Sequence, residues 1–259
     1  MKLSEIKFSI IIPANDSTEG VEKTLNSLIN QTLSFENNVE AIILDKPLNH
    51  TREVCEKYID RYPLNVKFFE TEMLPPHNIG LENTEGEYIL FLEANDYLSK
   101  RTLEDVSDFI KNNPNLDLVT IPIYYYKNNR LEHYLDYPIK NSSAFNLNEI
   151  PEPVQLLGPS TFIKKESIDE TKFINDYNKY NTFLSQISVD YPNLGICKDG
   201  NYFIENIDEK TLPTEDISFN RMEYEKFIEE NLNNLIEKNE NKFGEVTKSM
   251  QYSLLNQLK

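Results

Sequence analysis

Three short polar clusters, at residues 13–16, 45–50 and 93–96, carry the groups able to do chemistry in this chain. The first is Pro13-Ala14-Asn15-Asp16. The second opens on Asp45 and Lys46 and closes on His50. The third is the acidic tetrapeptide Glu93-Ala94-Asn95-Asp96. Their carboxylates and amides suit a polar ligand. Each cluster closes a strand-like apolar run, and in open parallel sheets ligands gather outside the carboxyl ends of strands. Plainer readings stand beside this one. Asp45 would cap the segment after it, Glu93 and Asp96 would form a solvated turn, and His77 would be a loop histidine. His50 and His133 stand in no supporting constellation. The shared position at strand ends is worth more than any single residue.

The elements that must position these clusters are legible from apolar spacing. Residues 8–12 form a β-branched run stopped by Pro13, as a buried parallel strand would be. Asn15, Asp16, Ser17 and Thr18 supply capping side chains, and Val21, Leu25, Leu28 and Ile29 follow at helical spacing. A strand over 39–44 ends at Asp45, and a helix over 51–61 buries Val54, Cys55, Tyr58 and Ile59. Further strands cover 66–69 and 86–92; a helix then carries Leu103, Val106, Phe109 and Ile110, and a fifth strand begins near Leu116. Strands alternating with helices predict an α/β fold with a mostly parallel, doubly wound sheet.

The pattern loosens between about 125 and 160, where Tyr124, Tyr125 and Tyr126 read as residues of an extended β-ribbon, with a cleft lining as the alternative. A strand over 161–163 and a helix over 179–189, striped by Phe183, Leu184 and Ile187, come next. From Glu223 the chain reads as a charged amphipathic helix with Tyr224, Phe227, Leu232 and Leu235 on its apolar side. The expected division is an α/β domain over 1–210 and a C-terminal helical extension over 211–259. That extension either packs on the domain or forms an oligomer contact.

Asp and Glu outnumber Lys and Arg by 43 to 26, a formal charge of −17 with no basic patch, which excludes nucleic acid as a partner. Two cysteines, Cys55 and Cys197, have no metal-ligand spacing. The start of the chain lacks a signal-peptide apolar region, and the run Ile10-Ile11-Ile12 is too short for a transmembrane segment. The expected location is cytoplasmic, at most peripheral to the inner face of the membrane.

Ser9-Ile10-Ile11-Ile12-Pro13, followed by Leu25-Asn26-Ser27-Leu28-Ile29-Asn30-Gln31-Thr32, resembles the opening of family 2 glycosyltransferases, S-I-I-I-P-V-Y-N and then L-x-S-L-x-N-Q-T. Glu40-Ala41-Ile42-Ile43-Leu44-Asp45 looks like the family's E-I-I-I-V-D-D. Asn78-Ile79-Gly80-Leu81 matches R-N-x-G-L, and residues 86–96 match G-E-Y-I-x-F-L-D-x-D-D. The resemblance is close over about residues 8–105 and weaker through 158–166. It implies the GT-A fold, the Rossmann-like architecture of nucleotide-diphospho-sugar transferases. The tail is similar to the region after the transferase domain in bacterial teichoic acid and capsule enzymes, which would make this chain an excised N-terminal domain.

What the resemblance implies can be carried over residue by residue. Pro13, Asn15, Asp45, His77 and Asn78 would contact the nucleotide. Glu93, Asn95 and Asp96 would hold Mn2+ or Mg2+ on the diphosphate, where a hard cation neutralises the departing charge. A separate carboxylate, in an E-D pair opening a later helix, would deprotonate the acceptor hydroxyl. This sequence departs from the pattern at every motif. Lys46 replaces the second acid after strand two, and Asn15 stands where the family has Tyr. His77 replaces an arginine with a group mostly neutral near pH 7. Asn95 removes one charge from the metal motif, so the ion would be weakly bound. No carboxylate lies in residues 179–182, where the E-D pair should fall; Asp176 is the nearest acid and the one catalytic candidate. A lost general base costs on the order of 10²–10⁴ in rate. Two functions follow. The first is an active, metal-assisted transferase moving sugar from a nucleotide-diphospho-sugar to a glycan or polyol-phosphate acceptor of the cell envelope. The alternative is an inactive pseudo-glycosyltransferase that serves as a binding or scaffolding module for a partner glycosyltransferase, a polymer or an oligomer.

Overall fold

The computed structural model describes residues 7–14, 17–47, 50–127, 130–133, 143–149, 158–174, 179–205, 225 and 227–257. The strands are β1 (Phe8–Pro13), β2 (Val39–Asp45), β3 (Val66–Glu70), β4 (Tyr88–Phe91), β5 (Tyr97–Leu98), β6 (Leu118–Thr120), β7 (Ile123–Lys127), β8 (Arg130–His133), β9 (Ser143–Asn146), β10 (Thr161–Lys164), β11 (Asn193–Ile196) and β12 (Tyr202–Ile204). The helices are α1 (Thr18–Ile29), α2 (Phe35–Asn38), α3 (Thr51–Arg61), α4 (His77–Glu82), α5 (Thr102–Asn112), α6 (Lys165–Ile168), α7 (Lys179–Asp190), a π-helical turn (Phe227–Leu232), α8 (Asn233–Phe243) and α9 (Lys248–Gln257).

Eight strands form the main sheet in the order β3-β2-β1-β4-β10-β6-β11-β9. Strands β1 to β4 pair in parallel, while β10 runs antiparallel between β4 and β6. The alternation of side chains along each strand explains why both faces need helices. Phe8, Ile10 and Ile12 of β1, with Val39, Ala41 and Ile43 of β2 and Leu90 of β4, join one core with α1, α3 and α5. Ile11, Ile42, Leu44, Ile89 and Phe91 point the other way and join a second core with α4, α6 and α7. This is the doubly covered, mostly parallel sheet that the apolar spacing predicts.

A smaller sheet, β5-β12-β7-β8, lies beside the acidic cluster. The tyrosines at 124–126 sit in its β7–β8 hairpin, as the ribbon reading expects. Beyond residue 225 the helical pattern is not one helix. It breaks at Gly244, which takes a left-handed φ of 77° after α8. The pieces pack on the domain: Phe227, Leu232, Leu235 and Met250 form a third apolar cluster around Val189 of α7. Lys238 and Lys242 both pair with Asp190 at the end of that helix. Among the described residues no helix is long and apolar enough to cross a membrane.

Candidate functional site

The parallel register brings the ends of β2, β1 and β4 to one edge, because Pro13 pairs with Leu44 and Ile11 with Phe91. Pro13, Asp45 and the acidic cluster therefore share that edge, with β1 lying between β2 and β4. Asn15 and Asp176 lie outside the described residues, so neither can be placed. Asp45 is 4% exposed, and its Oδ1 accepts the Lys46 backbone N–H at 2.8 Å.

The acidic turn is built on α1. Asn95 takes a left-handed φ of 86°, which asparagine tolerates better than most residues, and its amide donates to Ser17 Oγ at 3.1 Å. Thr24 Oγ1 donates to the Asp96 carbonyl at 2.8 Å. The turn approaches the helix so closely that a Cβ on Gly20 would lie 2.6 Å from Asn95 Oδ1.

Both acidic side chains of this turn are held by tyrosines. The Tyr180 hydroxyl, in the first turn of α7, donates to Glu93 Oε1. The Tyr202 hydroxyl, on β12, donates to Asp96 Oδ2 at 2.6 Å and accepts the Glu93 backbone N–H at 3.4 Å. Burial raises the Glu93 carboxyl above its ordinary range, opposed by the Tyr180 bond. It pushes Asp96 up to about 7, opposed chiefly by the Tyr202 bond. Both phenols are themselves raised, first by burial and then by the carboxyl each one meets.

His77 completes the arrangement. It is not a loop histidine: it opens α4, 1% exposed, stacked on Phe173 with centroids 4.7 Å apart. Its Nε2 lies 2.8 Å from the Tyr180 oxygen. Tyr180 gives its single hydrogen to Glu93, so its oxygen accepts from His77, which selects the Nε2–H tautomer. The imidazole Nδ1 is buried with no hydrogen-bond partner among the described residues. Burial, aided by the Lys179 charge, lowers this histidine to about 3, so it is neutral at physiological pH.

The neighbouring Asn78 is occupied elsewhere. Its amide donates to the Phe173 carbonyl at 3.0 Å and accepts the Phe173 N–H at 2.9 Å, clamping the loop that carries the stacking ring. Of the residues singled out from sequence, His77, Glu93 and Asp96 are thus linked through hydrogen bonds, while Asn78 and Asp45 are not part of that chain. The two tyrosines that make the links carry no motif signal. Tyr180 stands in the stretch 179–182 where the resemblance puts a carboxylate, and Tyr202 lies where no element is expected.

The doubly covered, mostly parallel sheet with its antiparallel β10 is the GT-A fold of nucleotide-sugar transferases, as superposition on solved structures shows. Residues 9–172 match the sequence model of "Glycosyl transferase family 2", well over half of the chain, and the chain belongs to that family. It is similar to the minor teichoic acid biosynthesis protein GgaA of Bacillus subtilis (strain 168), 24% identical over 262 residues, covering 97% of this chain and 59% of GgaA. It is also similar to the poly(ribitol-phosphate) beta-N-acetylglucosaminyltransferase TarS of Staphylococcus aureus (strain Mu50 / ATCC 700699), 33% identical over 108 residues, 40% of this chain and 19% of TarS. The crystal structure of S. aureus TarS 1–349 in complex with UDP-GlcNAc superposes with a TM-score of 0.75 at 21% identity, over 98% of this chain and 72% of that one. A crystal structure of GalNAc-T7 with UDP, GalNAc and Mn2+ shares the fold more distantly, with a TM-score of 0.60 at 13% identity, over 78% of this chain and 44% of that one. The aligned residues thus span about three fifths of GgaA and a fifth of TarS. Of these relatives, GgaA is named for minor teichoic acid biosynthesis and TarS for transfer to poly(ribitol-phosphate).

Proposed function

We propose that this family 2 domain binds without transferring sugar, and serves as a scaffolding module that docks a partner transferase or the polyol-phosphate polymer in cell-envelope teichoic acid synthesis. One observation carries the reading. Tyr180 occupies the start of α7, where the family resemblance puts the acceptor-activating carboxylate, and its hydroxyl is already spent on Glu93. A general base must take a proton near neutral pH. A phenol raised above its ordinary range holds its own proton there and supplies no such base. His77 gives no fixed positive charge to a departing diphosphate, because burial keeps it neutral.

The test is turnover. The full chain is incubated with UDP-, CDP- and GDP-linked sugars, with polyribitol or polyglycerol phosphate as acceptor, with and without Mn2+. Release of nucleotide diphosphate at the rate of the protein-free blank is the expected result. Acceptor-dependent release above that blank, lost on Tyr180→Phe or Glu93→Gln, sinks the proposal.

A second reading, a working transferase, is favoured by Asp45, buried at the end of β2 where the resemblance places a nucleotide contact. The same assay separates the two. Calorimetric titration of the donors shows whether Asp45 holds nucleotide: Asp45→Ala should weaken any binding seen.

A further inference from the structure

We propose that Glu93 and Asp96 serve as hydrogen-bond acceptors for Tyr180 and Tyr202 and not as ligands of a divalent cation, so that any nucleotide this domain meets is held without one. The donor set is the reason. A hard cation on a diphosphate takes its oxygens from phosphates, waters and one or two carboxylates, and its affinity follows the number of charged ligands. The turn offers three side chains, Glu93, Asn95 and Asp96. Asn95 is neutral; its amide nitrogen donates to Ser17, and only its uncharged oxygen is left to offer an ion. The two carboxyls are drawn to phenols on different elements, Glu93 to α7 and Asp96 to β12. A cation drawing both together would compete with these phenols for the carboxylate lone pairs and pull the two acids away from the elements that hold them. Among the described residues no group of three or more His, Cys, Asp or Glu side chains is arranged to hold a metal.

Seen this way, the acidic turn is a structural latch. Glu93 fastens the first turn of α7, and Asp96 fastens β12, whose neighbour Glu205 also donates its N–H to Asp96 Oδ1 at 3.4 Å. Hydrogen bonding, not coordination, then sets what these residues need: an amide oxygen at either position accepts from a phenol as a carboxylate does. The inference stands apart from the question of turnover. A metal-free transferase would overturn the proposed function and leave it intact, and a silent domain that binds metal would do the reverse.

The experiment uses the full chain with Mn2+ at physiological salt, following the electron paramagnetic resonance signal of free Mn2+, alone and with UDP. Wild type and Glu93→Gln should deplete that signal equally and without saturation. The double variant Tyr180→Phe/Asn95→Asp frees Glu93 and restores a charge at a left-handed position that aspartate tolerates. It should bind Mn2+ roughly tenfold or more tightly than wild type. Thermal melting confirms that each variant is folded. Saturable Mn2+ binding by wild type that Glu93→Gln abolishes overturns the proposal. So does a folded double variant with no gain, because the phenol would then not be what keeps the ion away.

Discussion

Replacing His77 with glutamine should change how stability depends on pH, with a size set by burial. In the fold His77 is lowered to about 3 from an ordinary value of 6.5. Between those values the unfolded chain binds a proton that the folded chain does not, so stability rises with pH across the window and is complete above 6.5. Each pH unit inside it is worth about 1.4 kcal/mol. Acidifying from about 6.5 to about 4.5 therefore costs the wild type roughly 2.7 kcal/mol through this one side chain. The His77→Gln variant has no such charge to suppress. It loses the ring stacked on Phe173 and the fit to Tyr180, about 1–3 kcal/mol at neutral pH. The two proteins should therefore differ by that amount near pH 7.5 and converge, or cross, near pH 4.5. Urea unfolding at a series of pH values measures this directly, and carboxylates common to both proteins cancel in the difference. The imidazole proton resonances of wild type should show no midpoint above pH 5 for this ring. A stability difference independent of pH, or a His77 midpoint near 6.5, would refute the reasoning.

Three further outcomes follow from the same geometry. Asp96 has the opposite sign to His77: its folded value of about 7 exceeds the ordinary 3.8, so the folded state takes up the proton first. Wild type should gain on Asp96→Asn by about 1.4 kcal/mol per unit as pH falls from 7 towards 4, and parallel urea curves would contradict this. Gly158→Ala drives a Cβ into the Tyr180 Cβ, well inside van der Waals contact, so it should destabilise by at least 1–3 kcal/mol and loosen the first turn of α7, seen by denaturation and by hydrogen exchange at Tyr180. Glu40 is fully buried, pairs with Lys67 at 2.8 Å and accepts from Ser9 and the Glu85 N–H. Glu40→Ala should cost about 3–5 kcal/mol and Glu40→Gln clearly less, measured by the denaturant midpoint.

The main sheet is legible in the sequence because its strands are short apolar runs with polar stops. Ile10, Ile11 and Ile12 leave no other place for that segment than the middle of a covered sheet. Asp45 and Glu93 are legible as strand-end groups for the same reason. The pairing of β10 between β4 and β6 is not, since the antiparallel contact of Ile163 with Ile89 joins residues far apart in the chain and leaves no local pattern. The two-residue strand β5 and the four-residue helix α2 are too short for any period to show. The site divides in the same way. Its acids are visible as a motif, but what they do depends on Tyr180 and Tyr202, which arrive from 87 and 106 residues away. His77 illustrates the limit best. A neutral histidine is foreseeable, yet its burial in α4 against Phe173 comes from the Asn78 clamp across 95 residues.

Helix α7 is held from two sides. One end presents Tyr180 to Glu93, while Thr182 bonds Gln257 at 3.1 Å and Ser185 bonds Ser253 at 2.6 Å on α9. The acidic turn and the C-terminal helices therefore pull on one rod. The contacts to the acidic turn and to α9 lie within residues 180–185, the first two turns of this helix.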